Sequence, residues 1–108
     1  MSPEDLQLLE SVGTEERFPA EHVLIERGQS GSGLYVVLDG GVVVEAPEGT
    51  RELGPGRLVG GRALLSADGT RTARVRTTTE TRVLAVSRAA VDRLLADDPS
   101  LASRLEGV

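Results

Sequence analysis

The stretch IERGQSGSGLYVVLDGGVVV, Ile25 to Val44, decides how this chain folds. Gly28 to Gly33 reads as a glycine-rich turn. LYVVL (Leu34 to Leu38) and GVVVEA (Gly41 to Ala46) are apolar, β-branched runs of strand length, with Asp39-Gly40 between them. An Asp-Gly pair between two such runs predicts a β-hairpin.

The same alternation of strand and turn extends in both directions. HVLIER (His22 to Arg27) is a strand before the glycine turn, and strand character is expected from Phe18 onward. After it, APEGT (Ala46 to Thr50) is a turn, and RELGPG (Arg51 to Gly56) a short strand and another turn. TARVRTTT (Thr72 to Thr79) and TRVLAVS (Thr81 to Ser87) predict a second hairpin. Arg74 and Arg76 alternate with Ala73, Val75 and Thr77, which predicts one wet and one dry face. Val23, Ile25, Leu34, Val36, Val43, Leu53, Val75, Leu84 and Val86 are the expected core.

Helices bracket the strands. Ser2-Pro3-Glu4-Asp5 is a helix start, with Ser2 as cap, Pro3 at the first helical position and Asp5 completing a capping-box pattern. Leu6, Leu8 and Leu9 give a short apolar stripe, and Gly13 ends the helix. Ser87 caps Arg88 to Asp98, which carries Val91, Leu94 and Leu95 on one face. Asp98-Pro99 begins a last short helix with Leu101 and Leu105. The expectation is one domain over residues 1–108: a helix at about 3–12, an antiparallel β-roll or jelly roll at about 18–87, and C-terminal helices at about 88–106. The fold class is mainly β with flanking helices.

Composition narrows the chemistry. There are 108 residues, 39% hydrophobic but only 2% aromatic, so the core is built from Val, Leu, Ile and Ala. There is no Cys, hence no disulfide and no thiolate metal site. That absence, with no basic-then-apolar leader and no membrane-length apolar run, fits a cytoplasmic protein without membrane insertion. The net charge of −5 argues against direct nucleic-acid binding, which needs a basic face. His22 is the only histidine and has no partners for a metal. No Ser, Thr or carboxylate stands in a catalytic constellation, so the chain reads as a non-enzyme with no cofactor.

GGRALLSADGTRTARV, Gly60 to Val75, carries the candidate chemistry. A short helix beginning near Gly60 would turn unpaired N–H groups outward, those of Ala63 and Leu64 among them, and attract an anion. Gly60 and Gly61 permit close backbone approach. Arg71 can fork onto two phosphate oxygens, and Thr72 can add a hydroxyl.

The order of these motifs resembles the cyclic nucleotide-binding domain family over about Phe18 to Leu105. IERGQSGSGLYVVLDGGVVV is similar to the family's glycine turn, Leu-Tyr strand and glycine-led hairpin. LGPGRLVGGRALL (Leu53 to Leu65) resembles its Leu-Gly-Pro-Gly turn and the start of its phosphate-binding cassette. TRTARV (Thr70 to Val75) resembles the cassette's end. The resemblance implies a regulatory module that takes cAMP or cGMP at Gly60, Gly61, Ala63, Leu64, Arg71 and Thr72, with Arg71 on the phosphate. The Arg-Thr order leans toward cGMP.

The chain also departs from the pattern. Where the family carries a glutamate for the ribose 2′-hydroxyl this chain has Gly61, and Arg62 replaces an apolar residue. Two functions therefore stand: a cyclic nucleotide sensor, or a degenerate relative that serves as a structural or interaction module. In both, the output domain or protein partner is outside this chain. Gly61→Glu is expected to strengthen nucleotide binding if the remaining pocket is intact.

Overall fold

The structure is a computed structural model and describes residues 2–27, 33–61 and 73–105. In chain order the elements are α1 (Pro3–Val12), β1 (Thr14–Phe18), β2 (Val23–Ile25), β3 (Gly33–Asp39), β4 (Val42–Ala46), β5 (Gly49–Leu53), β6 (Leu58–Val59), β7 (Arg74–Thr77), β8 (Thr81–Ser87), α2 (Arg88–Asp97) and α3 (Leu101–Leu105). The strands form two four-stranded antiparallel sheets, β1-β8-β3-β6 and β2-β7-β4-β5. The architecture is the antiparallel roll with flanking helices that the alternation predicts.

Period-two alternation in β3 assigns its residues to two cores. Leu34 and Val36, opposite Val86 and Leu84 of β8, pack beneath the helices with Leu9, Leu58, Ala90, Val91, Leu101 and Leu105. Val37 and Tyr35 face the space between the sheets, with Ile25, Val42, Val44, Leu53, Val59, Ala73 and Val75. Each large aliphatic side chain removed from water contributes about 1.5–3 kcal/mol, so both faces of β3 drive folding. The expected core positions are buried except Val23, which is half-buried.

Both predicted hairpins are corrected. β3 belongs to the first sheet and β4 to the second, so the chain changes sheets at Asp39-Gly40. β7 and β8 are likewise in different sheets. The reason is burial on two sides: β3 satisfies its ladder with β8 and β6, leaving no edge for β4. The hairpin that does form is β4–β5, around Pro47-Glu48, with Ala46 opposite Gly49.

The two crossings lie against each other and are tied by threonine. The Thr81 hydroxyl, 1% exposed, accepts from the Gly41 N–H at 3.3 Å and lies 3.0 Å from the Gly41 carbonyl and 2.8 Å from that of Thr79. Thr77, fully buried, accepts from the His22 N–H at 2.8 Å and donates to the Pro19 carbonyl at 2.6 Å. The dry face expected for Ala73, Val75 and Thr77 is present. On the wet side Arg76 bridges Glu21 and Glu45, and Arg74 faces Glu26.

Strand structure begins earlier than Phe18. TEERF forms β1, an edge strand paired with β8 from Thr14↔Ala85 to Phe18↔Thr81. At the termini, Ser2 caps α1 by accepting from the Asp5 N–H at 3.2 Å, and Ser87 caps α2 by accepting from the Ala90 N–H at 3.2 Å. Leu9 is buried and Leu8 is 40% exposed.

Candidate functional site

β6 delivers the chain to the candidate site. Leu58 and Val59 pair with Val36 and Tyr35, which places the Leu58 side chain under the helices and Val59 between the sheets. The preceding turn is fastened to β3 as well: the Gly56 N–H donates to the Val37 carbonyl at 2.8 Å, and the Val37 N–H donates to the Arg57 carbonyl at 2.9 Å. β6 thus ends at a fixed point, and Gly60 and Gly61 follow it, both buried.

The two glycines are required for different reasons. Gly60 has φ +90°, a left-handed conformation that a side chain would strain. Gly61 is outside that region and is needed for space. A Cβ on Gly61 would overlap the carbonyl oxygen of Leu105 in α3 and come within 2.9 Å of Leu58 Cδ2. Of the expected site residues, Gly60 and Gly61 are brought together here; Ala63, Leu64, Arg71 and Thr72 lie outside the described residues. So do Arg62 and Asp68. Ala73, at 7% exposure, and Val75, at 1%, belong to the same inter-sheet core as Val59. Val59, before residues 62–72, and Ala73, after them, thus lie in one core.

This geometry overturns the expectation for Gly61→Glu. The direction a side chain at 61 would take is filled by helix backbone, which cannot step aside as the end of a flexible side chain can. A carboxylate there collides with α3 before it reaches any ligand.

α3 itself is held by a polar clasp that sequence reasoning missed. Arg104 Nε donates to both carboxylate oxygens of Asp5 at 3.1 Å, its Nη2 to Asp98 Oδ2 at 3.1 Å, and its Nη1 to Ser100 Oγ at 3.2 Å. The Asp5 side chain is 4% exposed. The capping-box role expected for Asp5 gives way to this pairing, because a buried carboxylate needs a cationic partner. Hydrogen bonds from Ser100, then from Arg104, hold the Asp98 carboxyl below its ordinary value of 3.8. A lowered value means that Asp98 stabilises the fold above that pH, and that this contribution is lost as pH falls below it. Asp98 and then Asp5 push Arg104 further up. No local signal joins Asp5 to Arg104; they are 99 positions apart.

Elsewhere, the His22 ring stacks on Phe18 with centroids 4.5 Å apart, a packing role. Among the described residues no cluster of His, Cys, Asp or Glu could hold a metal ion, and no helix is long and apolar enough to cross a membrane.

Comparison with known proteins agrees with this geometry. The family model described as the cyclic nucleotide-binding domain matches residues 15–98. The CRP-like cAMP-activated global transcriptional regulator of Mycobacterium tuberculosis is 31% identical over 94 residues, covering 82% of this chain and 42% of the regulator. The chain thus spans less than half the length of that curated relative. A structure from work on a cyclic-GMP-dependent signalling pathway that regulates bacterial phytopathogenesis superposes with a TM-score of 0.85 at 27% identity, over 97% of this chain and 87% of that one. The catabolite activator protein of Thermus thermophilus superposes with a TM-score of 0.76 at 29% identity, over 96% of this chain and 51% of that one. The chain belongs to the cyclic nucleotide-binding domain family.

Proposed function

We propose that this chain is a regulatory module that senses a cyclic nucleotide by its phosphate. The observation that carries the reading is the left-handed Gly60 after β6, where Val59, before residues 62–72, and Ala73, after them, share one core. Arg71 supplies the forked cation, Thr72 a hydroxyl, Ala63 and Leu64 the N–H groups, and Gly60 and Gly61 the close backbone approach. One relative is named for cAMP and one neighbour comes from cyclic-GMP signalling. Both ligands present the same cyclic phosphate, so the phosphate contact is the shared element. The module acts in the cytoplasm without catalysis, and passes its signal to an output domain or protein outside this chain, with no direct contact to nucleic acid and no membrane insertion.

A second reading is favoured by the Gly61 geometry. α3 fills the space beside Gly61, where the family pattern has a glutamate, and a chain that has lost the ligand serves as a scaffold. Calorimetric titration with cAMP and cGMP separates the two. Under the sensing reading at least one ligand binds, and Arg71→Ala weakens it by roughly ten- to a hundredfold, the worth of a charge-assisted contact. Arg74→Ala and Arg76→Ala, whose guanidinium groups already face Glu26 and the Glu21–Glu45 pair, leave affinity nearly unchanged. Absence of binding by the folded wild type supports the scaffold, and equal losses from all three variants would reduce the attraction to nonspecific charge.

A further inference from the structure

We propose that a cavity between the end of α1 and the β1 edge of the first sheet is a second binding site, built for a small organic cation. The proposal is independent of the nucleotide reading, because β1 and β6, the strand that leads to Gly60, are opposite edges of that sheet.

Strand register builds the cavity. Pairing sets Thr14, Ala85 and Tyr35 in one row across β1, β8 and β3, with Gly33 two residues before Tyr35 on the same face. Ala85 and Gly33 are small, so the sheet surface sinks between larger neighbours. Thr14 and Glu16 wall one side, Tyr35 the other, and Val12 of α1 adds an apolar patch. The open space is about 380 Å³, within the size range of small-molecule sites.

Charge selects the guest. β1 carries Glu15, Glu16 and Arg17 in succession, and alternation sends the outer two to the opposite face. Both of those are paired: Arg82 Nη1 lies 2.7 Å from Glu15 Oε1, and Arg17 Nη1 lies 4.0 Å from Glu80 Oε1. Glu16 faces the cavity, and among the described residues no cation pairs with it. Its carboxylate repels an anion and attracts a positive charge, and the Tyr35 ring favours the same sign. The Thr14 and Tyr35 hydroxyls can accept hydrogen bonds from N–H groups. A bare ion would leave most of the space unfilled, whereas an aliphatic body can lie on Val12 and Ala85. An amine or guanidinium on a short aliphatic body meets all of these demands.

The test is titration of the full chain with n-butylguanidinium, read by amide NMR shifts with no nucleotide added. Saturable shifts are expected at Thr14, Glu16, Gly33 and Ala85, in the millimolar range that a ligand of this size reaches in an open site. The ammonium analogue, n-butylammonium, should give the same pattern. Butyrate and n-butanol, which carry a similar body without the positive charge, should leave these amides in place. Glu16 is exposed, so Glu16→Gln keeps the fold while weakening the cation by roughly three- to tenfold. Glu10→Gln removes an exposed carboxylate of α1 outside the cavity and should leave affinity unchanged. Ala85→Leu fills the floor and should abolish binding; where that variant does not fold, the Glu16 and Glu10 variants decide. Absence of saturation below about 20 mM, shifts scattered over the acidic surface, or equal losses from Glu10→Gln and Glu16→Gln would each overturn the site.

Discussion

Asp39-Gly40 and Pro47-Glu48 are two turns with similar sequence credentials and opposite outcomes. The second is a local hairpin: Ala46 faces Gly49, β4 pairs β5, and the turn residues stand in solvent. The first carries the chain from one sheet to the other. Gly40, at φ +90°, runs so close to the Thr78–Thr81 crossing that a Cβ would lie 2.5 Å from the Glu80 carbonyl and 2.7 Å from Thr81 Oγ1. Turn chemistry sets where a chain bends. What the flanking strands pair with is set by the faces that remain to be buried, and β3 has two.

The difference can be broken first at Gly40. Gly40→Ala pays for a left-handed alanine and for a clash with backbone, each about 1–3 kcal/mol. A loss of roughly 3 kcal/mol in urea denaturation is expected; a loss under about 1 kcal/mol would mean that the crossings are not in close contact.

Thr81→Val keeps the shape and removes the hydroxyl that ties the two crossings. The Gly41 N–H then loses its acceptor in a half-buried corner, and a cost of about 1–3 kcal/mol follows. Exchange at the Gly41 amide should rise more than at amides of the β4–β5 hairpin. Uniform change across both would assign the threonine to general packing.

The smallest effect belongs to the other turn. Glu48 is exposed, and Glu48→Ala should change stability by no more than about 0.5 kcal/mol. A cost comparable to that of Gly40→Ala would erase the distinction between a solvent hairpin and a packed crossing.

Legibility in the sequence followed the same division. Strands buried on both faces, such as Leu34 to Leu38 and Val83 to Val86, announce themselves as short continuous apolar runs. β1 does not: TEERF has one apolar residue, and the strand exists because its backbone completes the edge of β8. Thr77 and Thr81 look like ordinary strand threonines, yet each holds a corner through carbonyls and amides distant in sequence. In the candidate site, the glycine pair was legible, but the two-residue strand Leu58–Val59 that leads to it was not. The separate reasons for Gly60 and Gly61 were not, since one is a dihedral angle and the other is the approach of a helix some forty residues later in the chain.

By itself the sequence determined the inventory: a small acidic chain, aliphatic strands between two helical ends, serine caps at Ser2 and Ser87, and a glycine-and-arginine segment of cyclic nucleotide-binding type. Periodicity and capping act within a few residues, so these survive without knowledge of the whole. Tertiary structure alone decided that β3 and β4 part company at Gly40, that Asp5 serves Arg104, and that Gly61 gives its space to α3. Each of these is a competition for burial between groups far apart in the chain. Its winner depends on which surfaces meet once the sheets and helices close on one another.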